Sequence, residues 1–89
     1  MTDSPDVVMY STGWCGYCER ARTLLERKGV GFREIKVDED MAERQAMISR
    51  SGGRRTVPQI FIGDRHIGGF DDLYALEKSG ALDKLLHRA

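Results

Sequence analysis

The sequence is poor in cysteine, has no excess of charge and contains no long apolar run. Only two of its 89 residues are cysteines, and its 14 basic and 14 acidic residues cancel. We therefore expect no nucleic-acid partner and no binding to a membrane surface. No apolar stretch approaches the roughly 20 residues of a transmembrane helix, and the first residues lack the basic and apolar regions of a secretory signal. These absences predict one small domain over residues 1–89, with a core at about 6–87, in a reducing cytoplasm.

The two cysteines stand together in the tetrad Cys15-Gly16-Tyr17-Cys18. A structural disulfide is rare in a reducing compartment, so a pair this close indicates a redox or metal site. We expect Cys15 just before the first turn of a helix, where free amides and the helix dipole favour a thiolate. Cys18 is then one turn further on, on the same side of the helix and within disulfide reach. We therefore interpret Cys15 as the nucleophile and Cys18 as the partly buried resolving thiol.

Other interpretations of the pair are less consistent with its surroundings. A mononuclear zinc site usually takes four ligands. Only His66 and His87 could join the pair, and neither has ligand spacing. We expect His66 to be an exposed strand residue and His87 to be part of a loose tail. Haem attachment requires a histidine directly after the second cysteine, where this chain has Glu19. We therefore predict no metal site built within a single chain.

Hydrophobic periodicity predicts alternating strands and helices. Strands are expected at 7–10, 32–37, 59–62 and 65–67, with a tight turn between the last two. Helices are expected at 16–28, between Asp40 and Gly52, and around Leu73 up to Gly80, followed by a final turn or short helix. The order β-α-β-α-β-β-α predicts an α/β fold with a four-stranded mixed sheet and helices on both faces.

The second predicted helix has identifiable start and core residues. Asp40 stands three residues before Glu43, which resembles a capping box. Met41, Met47 and Ile48 are expected to form the buried side of this helix.

Two further motifs follow the tetrad, namely Thr56-Val57-Pro58 and Gly68-Gly69-Phe70-Asp71-Asp72. With the tetrad they resemble a dithiol glutaredoxin, over residues 7–86. The resemblance implies the thioredoxin fold and a glutathione-dependent thiol-disulfide oxidoreductase, which reduces protein disulfides and protein-glutathione mixed disulfides. It also implies a monomer with glutathione as cosubstrate and with disulfide-containing or glutathionylated proteins as partners.

The same resemblance implies a glutathione site. A cis Pro58 would present the Val57 backbone to the cysteinyl part of glutathione. The amides of Phe70 and Asp71 would bind its γ-glutamyl carboxylate, and the Asp72 carboxylate its ammonium group. Arg44 matches a contact to the glycyl carboxylate. The complete implied set of glutathione-binding residues is Tyr17, Arg44, Thr56, Val57, Pro58, Gly69, Phe70, Asp71 and Asp72.

The chain departs from the family pattern close to Cys15. Gly16 stands where the family usually has proline, and Thr12 where it often has lysine. The glycine adds a backbone N–H group that favours the thiolate. Arg20 and Arg22 are candidates to replace the missing cation.

These departures leave two alternative functions open. Glycine in place of the tetrad proline resembles glutaredoxin dimers in which one [2Fe–2S] cluster is held by Cys15 of each chain and two glutathiones. Trp14 before Cys15 resembles thioredoxin, and so leaves open a thioredoxin-like electron donor.

Overall fold

The computed structural model describes residues 5–87. Its central element is a four-stranded mixed sheet. Its strands are β1 (Val7–Ser11), β2 (Arg33–Lys36), β3 (Gln59–Ile62) and β4 (Arg65–Gly68), in the order β2-β1-β3-β4. Strand β1 is parallel to β2 and antiparallel to β3, which is antiparallel to β4. The predicted α/β class and mixed sheet are confirmed. Strand β2 is shorter than predicted, and β1 and β4 are each one residue longer.

Within residues 5–87, four helices connect and follow the strands: α1 (Gly16–Arg27), α2 (Met41–Arg50), α3 (Phe70–Ser79) and α4 (Ala81–His87). Helix α1 ends one residue before its predicted end at 28, and α3 ends at Gly80 as predicted. Gly29 and Gly80, which follow these helices, have φ angles of 73° and 84° in the left-handed region. Helix α4 continues through His87, so the expected loose tail at this residue is wrong. No helix within residues 5–87 is long and apolar enough to cross a membrane.

The sheet separates two clusters of buried apolar side chains, because successive residues of a strand point to opposite faces. Helices α1, α3 and α4 pack on one face, against Val7 and Met9 of β1 and Ile60 and Ile62 of β3. Helix α2 packs on the other face, where Met47 meets Val8, Tyr10, Val37 and Phe61. The prediction of helices on both faces is confirmed.

Helix α2 begins as predicted, but fewer of its apolar side chains are buried than predicted. The Asp40 carboxylate accepts hydrogen bonds from the amides of Ala42 and Glu43, at 3.0 and 3.2 Å. Met47 is fully buried, whereas Met41 is 69% exposed, so the prediction for Met41 is wrong. Six residues at about 100° each turn Met41 about 120° away from Met47 around the helix axis.

Lys28 fixes the far end of the helix that carries the cysteines. Its ammonium group lies 2.7 Å from a carboxylate oxygen of Glu77 and 2.7 Å from one of Asp83. These hydrogen bonds, to Asp83 and Glu77, raise the pKa of Lys28. The end of α1 is thereby tied to both α3 and α4.

Candidate active site

The two cysteines lie where β1 passes into α1. Cys15 is the N-cap of α1, with an extended backbone, and its Sγ accepts a hydrogen bond of 3.0 Å from the Cys18 amide. The two sulfurs are joined as a disulfide, with Cα atoms 5.1 Å apart. Cys18 is fully buried, whereas Cys15 is half-buried. Cys15 is therefore the cysteine that a substrate can reach.

The residues beside Cys15 are open to solvent. Trp14 is 97% exposed. A Cβ atom placed on Gly16 would meet nothing within 4 Å, so space does not require glycine at this position. The amide that meets Cys15 Sγ belongs to Cys18. The start of α1 thus presents an exposed indole and a small, unobstructed residue next to the reactive sulfur.

The Thr56-Val57-Pro58 loop reaches the disulfide from the start of β3. The Val57-Pro58 peptide bond is cis, as the family resemblance implies. The Val57 carbonyl oxygen lies 3.9 Å from Cys15 Sγ. Pro58 is buried, whereas Val57 is half-buried and Thr56 is exposed. The loop therefore places two accessible residues, Thr56 and Val57, near Cys15.

The start of α3 lies against the same loop. Its N-cap is Gly69, which has no side chain to satisfy the first amides of the helix. Asp72 Oδ2 accepts a hydrogen bond of 3.0 Å from the Gly69 amide. Gly68 has a φ of 118°, and a Cβ atom there would collide with Asp72 Oδ2 and lie 2.8 Å from its Cγ. Glycine at position 68 is thus required both by the backbone and by the position of the Asp72 carboxylate.

One cavity of about 200 Å³ joins these elements, and we call it the cis-proline cavity. Eight of the nine predicted glutathione-binding residues line it: Tyr17, Thr56, Val57, Pro58, Gly69, Phe70, Asp71 and Asp72. Arg54 also lines it, with Nη1 3.8 Å from Asp72 Oδ2. Arg54 is not among the predicted site residues, although it lies two residues before Thr56. The ring centroids of Tyr17 and Phe70 are 6.4 Å apart, so these two residues form one stacked wall.

Arg44 is the predicted contact that does not line the cis-proline cavity. It lies half-buried on α2, the helix that packs on the opposite face of the sheet from α1 and α3. Its contact to glutathione therefore stays a prediction.

A second, polar cavity of about 550 Å³ is lined by Cys15, the loop that precedes Cys15, and residues of α1 and β2. There Arg22 binds both carboxylate oxygens of Glu34, at 2.8 and 2.6 Å, and Ser11 Oγ donates to Glu34 at 2.5 Å. The Arg22 hydrogen bond lowers the pKa of Glu34, and the same bond raises the pKa of Arg22. Arg22 is therefore engaged by Glu34, while Arg20 lies 5.4 Å from the centre of the Tyr17 ring.

His66 is not the exposed strand residue that the sequence predicts. It is half-buried, its ring lies 4.8 Å from that of Phe61, and its Nε2 lies 2.6 Å from Gln59 Oε1. Burial lowers the pKa of His66, and the nearby Arg54 lowers it further. The sequence does not reveal these partners, because they come from the pairing of β4 with β3. Among residues 5–87, no three His, Cys, Asp or Glu side chains are grouped so as to hold a metal ion.

A cysteine pair at a helix N-terminus, facing a cis-proline loop on this β-α-β-α-β-β-α framework, defines a thiol-disulfide oxidoreductase with a thioredoxin-like fold. The glutaredoxin family model matches residues 7–67. A glutaredoxin of Pseudomonas aeruginosa is 56% identical over 82 residues, which are 92% of this chain and 96% of the relative.

Two solved structures extend the comparison. A buckwheat glutaredoxin-glutathione complex is 34% identical, with a TM-score of 0.83 over 92% of this chain and 76% of the other. A structure on the metal binding of glutaredoxins is 52% identical, with a TM-score of 0.72 over 96% and 91% of the two chains. The chain belongs to the glutaredoxin family, whose members are glutathione-dependent thiol-disulfide oxidoreductases, and glutathione is its cosubstrate.

Proposed function

We propose that the chain reduces protein disulfides through Cys15 and Cys18, and protein-glutathione mixed disulfides through Cys15 alone. The observation that carries this proposal is the position of Cys15. This half-buried residue is the N-cap of α1, and its Sγ lies 3.9 Å from the carbonyl oxygen of Val57 in the cis-proline loop. The Cys18 amide, 3.0 Å away, stabilises negative charge on Cys15 Sγ once the disulfide is open.

In the dithiol route, the Cys15 thiolate attacks a substrate disulfide, forms a mixed disulfide and releases the first substrate thiolate. The Cys18 thiolate then attacks Cys15 Sγ, which releases the second substrate thiolate and closes the Cys15–Cys18 disulfide. One glutathione reopens this disulfide to give Cys18 thiol and glutathionylated Cys15. A second glutathione removes the first as glutathione disulfide. Because Cys18 is fully buried, it exchanges only with Cys15.

Glutathione is proposed to bind in the cis-proline cavity. The Val57 backbone pairs with its cysteinyl residue as an added strand would. The amides of Phe70 and Asp71, at the start of α3, donate hydrogen bonds to the γ-glutamyl carboxylate, and the Asp72 carboxylate binds the ammonium group. Arg54 and Arg44 are the candidate cations for the glycyl carboxylate, and Arg54 already lines this cavity.

Substitution of each cysteine tests the division of roles. Cys15→Ser should abolish every activity, because the one remaining thiol, that of Cys18, is fully buried and cannot reach a substrate. Cys18→Ser should lose reduction of protein disulfides but keep deglutathionylation, measured on a glutathionylated peptide coupled to glutathione reductase and NADPH. Equal loss of both activities in Cys18→Ser would contradict these roles.

The source of electrons tests the thioredoxin-like alternative. Faster turnover of the protein with thioredoxin reductase than with glutathione and glutathione reductase would favour that alternative.

A second candidate function is the binding of a [2Fe–2S] cluster between two chains. Two observations support it: the open space at Gly16, and the likeness to a structure on the metal binding of glutaredoxins. Since Cys18 is fully buried, each chain would offer the Cys15 thiolate alone, and two glutathiones would complete the four sulfur ligands. Absence of thiolate-to-iron absorption bands after anaerobic reconstitution with glutathione, iron and sulfide would eliminate this function.

We further propose that residues 1–89 form one glutaredoxin domain that works as a monomer in the cytoplasm. A pool of reduced glutathione is what the proposed cycle consumes, and a reducing compartment supplies it. Sedimentation equilibrium with and without glutathione tests the monomer, and fractionation of cells that carry a tagged chain tests the location.

A further inference from the structure

A chain of hydrogen bonds runs from His66 on β4, through Gln59 on β3, to the loop beside Cys15. His66 Nε2 lies 2.6 Å from Gln59 Oε1. Gln59 Nε2 donates to the Thr56 carbonyl oxygen at 3.0 Å and lies 3.2 Å from Thr56 Oγ1. Gln59 is fully buried, so its carboxamide depends on these partners, and its orientation matters energetically.

The partners of Gln59 determine which way its carboxamide faces. A carbonyl oxygen can only accept, so the atom that faces Thr56 O must be the Gln59 NH2 group. The oxygen of Gln59 then faces His66 and requires a donor there. The neutral His66 tautomer with a proton on Nε2 supplies that donor. The reverse orientation would set two carbonyl oxygens against each other. His66 therefore holds Gln59 in the orientation that binds Thr56.

The Thr56 carbonyl group shares a planar peptide unit with the Val57 N–H group. In a trans peptide, these two groups point in opposite directions. When Gln59 binds the carbonyl oxygen, the N–H of Val57 is therefore directed away from Gln59. Val57 lines the cis-proline cavity, whereas Gln59 does not. The network thus orients the donor of Val57 without touching a ligand in the cavity.

His66 is itself held firmly. Its ring stacks on Phe61, with centroids 4.8 Å apart and planes inclined by 29°. The two residues are direct partners in the β3–β4 pairing. Burial and the nearby Arg54 lower the pKa of His66, which favours the neutral imidazole.

We propose that His66 is a positioning residue for glutathione binding: through Gln59 and the Thr56 carbonyl, it sets the direction of the Val57 N–H group. This inference rests on the proposed binding of glutathione along the Val57 backbone. It adds a specific residue, outside the cis-proline cavity, to the recognition of the cosubstrate.

Two substitutions separate the hydrogen bond of His66 from its packing. His66→Phe keeps a ring to stack on Phe61 but removes the donor to Gln59. His66→Gln removes the ring but keeps an N–H group that can reach the position of Nε2. The loss of one buried hydrogen bond corresponds to about a three- to tenfold change in an equilibrium constant. We therefore expect His66→Phe to raise the KM for glutathione about three- to tenfold, with kcat changed less than twofold. His66→Gln should retain a KM close to that of the unmodified protein.

The measurement uses the full chain, a glutathionylated peptide and a range of glutathione concentrations. Thermal unfolding of both variants is recorded alongside, so that a loss of fold is recognised. If His66 served packing alone, His66→Gln would be the damaged variant and His66→Phe the normal one, which would overturn the proposal. Normal KM values in both variants would overturn it as well.

A second readout keeps this inference distinct from the proposed function. The Val57 amide resonance is followed by 15N NMR in the absence of glutathione. It should shift in His66→Phe and stay in place in His66→Gln, whether or not glutathione binds along Val57. A shift without any change in KM would locate the failure in the proposed glutathione contact. An unshifted Val57 resonance in His66→Phe would refute the network itself.

Discussion

Substitution of Gly68 by alanine tests how closely the backbone and the Asp72 carboxylate are fitted together. At a φ of 118°, an alanine is strained whatever the space around it. Its Cβ atom would also lie 2.8 Å from Asp72 Cγ and 3.2 Å from Arg54 Nη1. The carboxylate must then move and lose its 3.0 Å hydrogen bond from the Gly69 amide.

The cost of backbone strain can be separated from the cost of the lost hydrogen bond, because Gly80 offers a matched control. Gly80 has a φ of 84°, but a Cβ atom there would meet nothing within 4 Å. Gly80→Ala should cost about 1 kcal/mol of unfolding free energy, since backbone strain is partly offset by a less flexible unfolded chain. Gly68→Ala adds the lost hydrogen bond at the helix start, for a total of about 2–3 kcal/mol.

Thermal unfolding measures the loss of stability, and glutathione kinetics measure the displacement of the Asp72 carboxylate. For a domain of this size, 1 kcal/mol corresponds to roughly 4–8 °C in Tm. We therefore expect Gly68→Ala to lower Tm by about two to three times as much as Gly80→Ala. Only Gly68→Ala should raise the KM for glutathione, because only it displaces Asp72. Equal Tm losses with an unchanged KM would refute the argument that position 68 is fitted to the carboxylate.

Two further predictions concern charged groups around the site. Arg22 lowers the pKa of Glu34, so the stability contributed by this carboxylate is complete above its unfolded pKa of about 4.3 and is lost as pH falls through the lower folded pKa. Glu34→Gln should therefore destabilise the fold by about 1 kcal/mol at pH 7 and by almost nothing near pH 2; a difference independent of pH in urea unfolding would contradict this. Arg54→Ala should raise the KM for glutathione more than Arg44→Ala does, because Arg54 lines the cis-proline cavity. A larger rise in KM for Arg44→Ala than for Arg54→Ala would instead indicate that Arg44 binds the glycyl carboxylate.

The elements and contiguous motifs could be predicted from the sequence, because each is encoded locally. Each depends on residues within a few positions of one another. This is true of the apolar segments that form strands, of the glycine that ends α3 and of the Asp40 N-cap of α2. Arg54 and His66 could not be assigned in this way. His66 meets Gln59 and Phe61 through the pairing of β4 with β3, which depends on register rather than on spacing. Met41 is exposed because it lies about 120° around the helix axis from the buried Met47, so its apolar character alone is a poor predictor of burial.

The pairing of β1 with β3 has a consequence for how the site comes into existence. These central strands join residues that are 49 to 55 positions apart in the sequence. The helix with the cysteines follows β1, and the cis-proline loop precedes β3. Fraying of the edge strands β2 or β4 leaves this central pairing in place. An N-terminal fragment that ends before β3 would carry both thiols but no surface to select their substrate. The reactive pair thus acquires its selectivity only when the two halves of the chain have met.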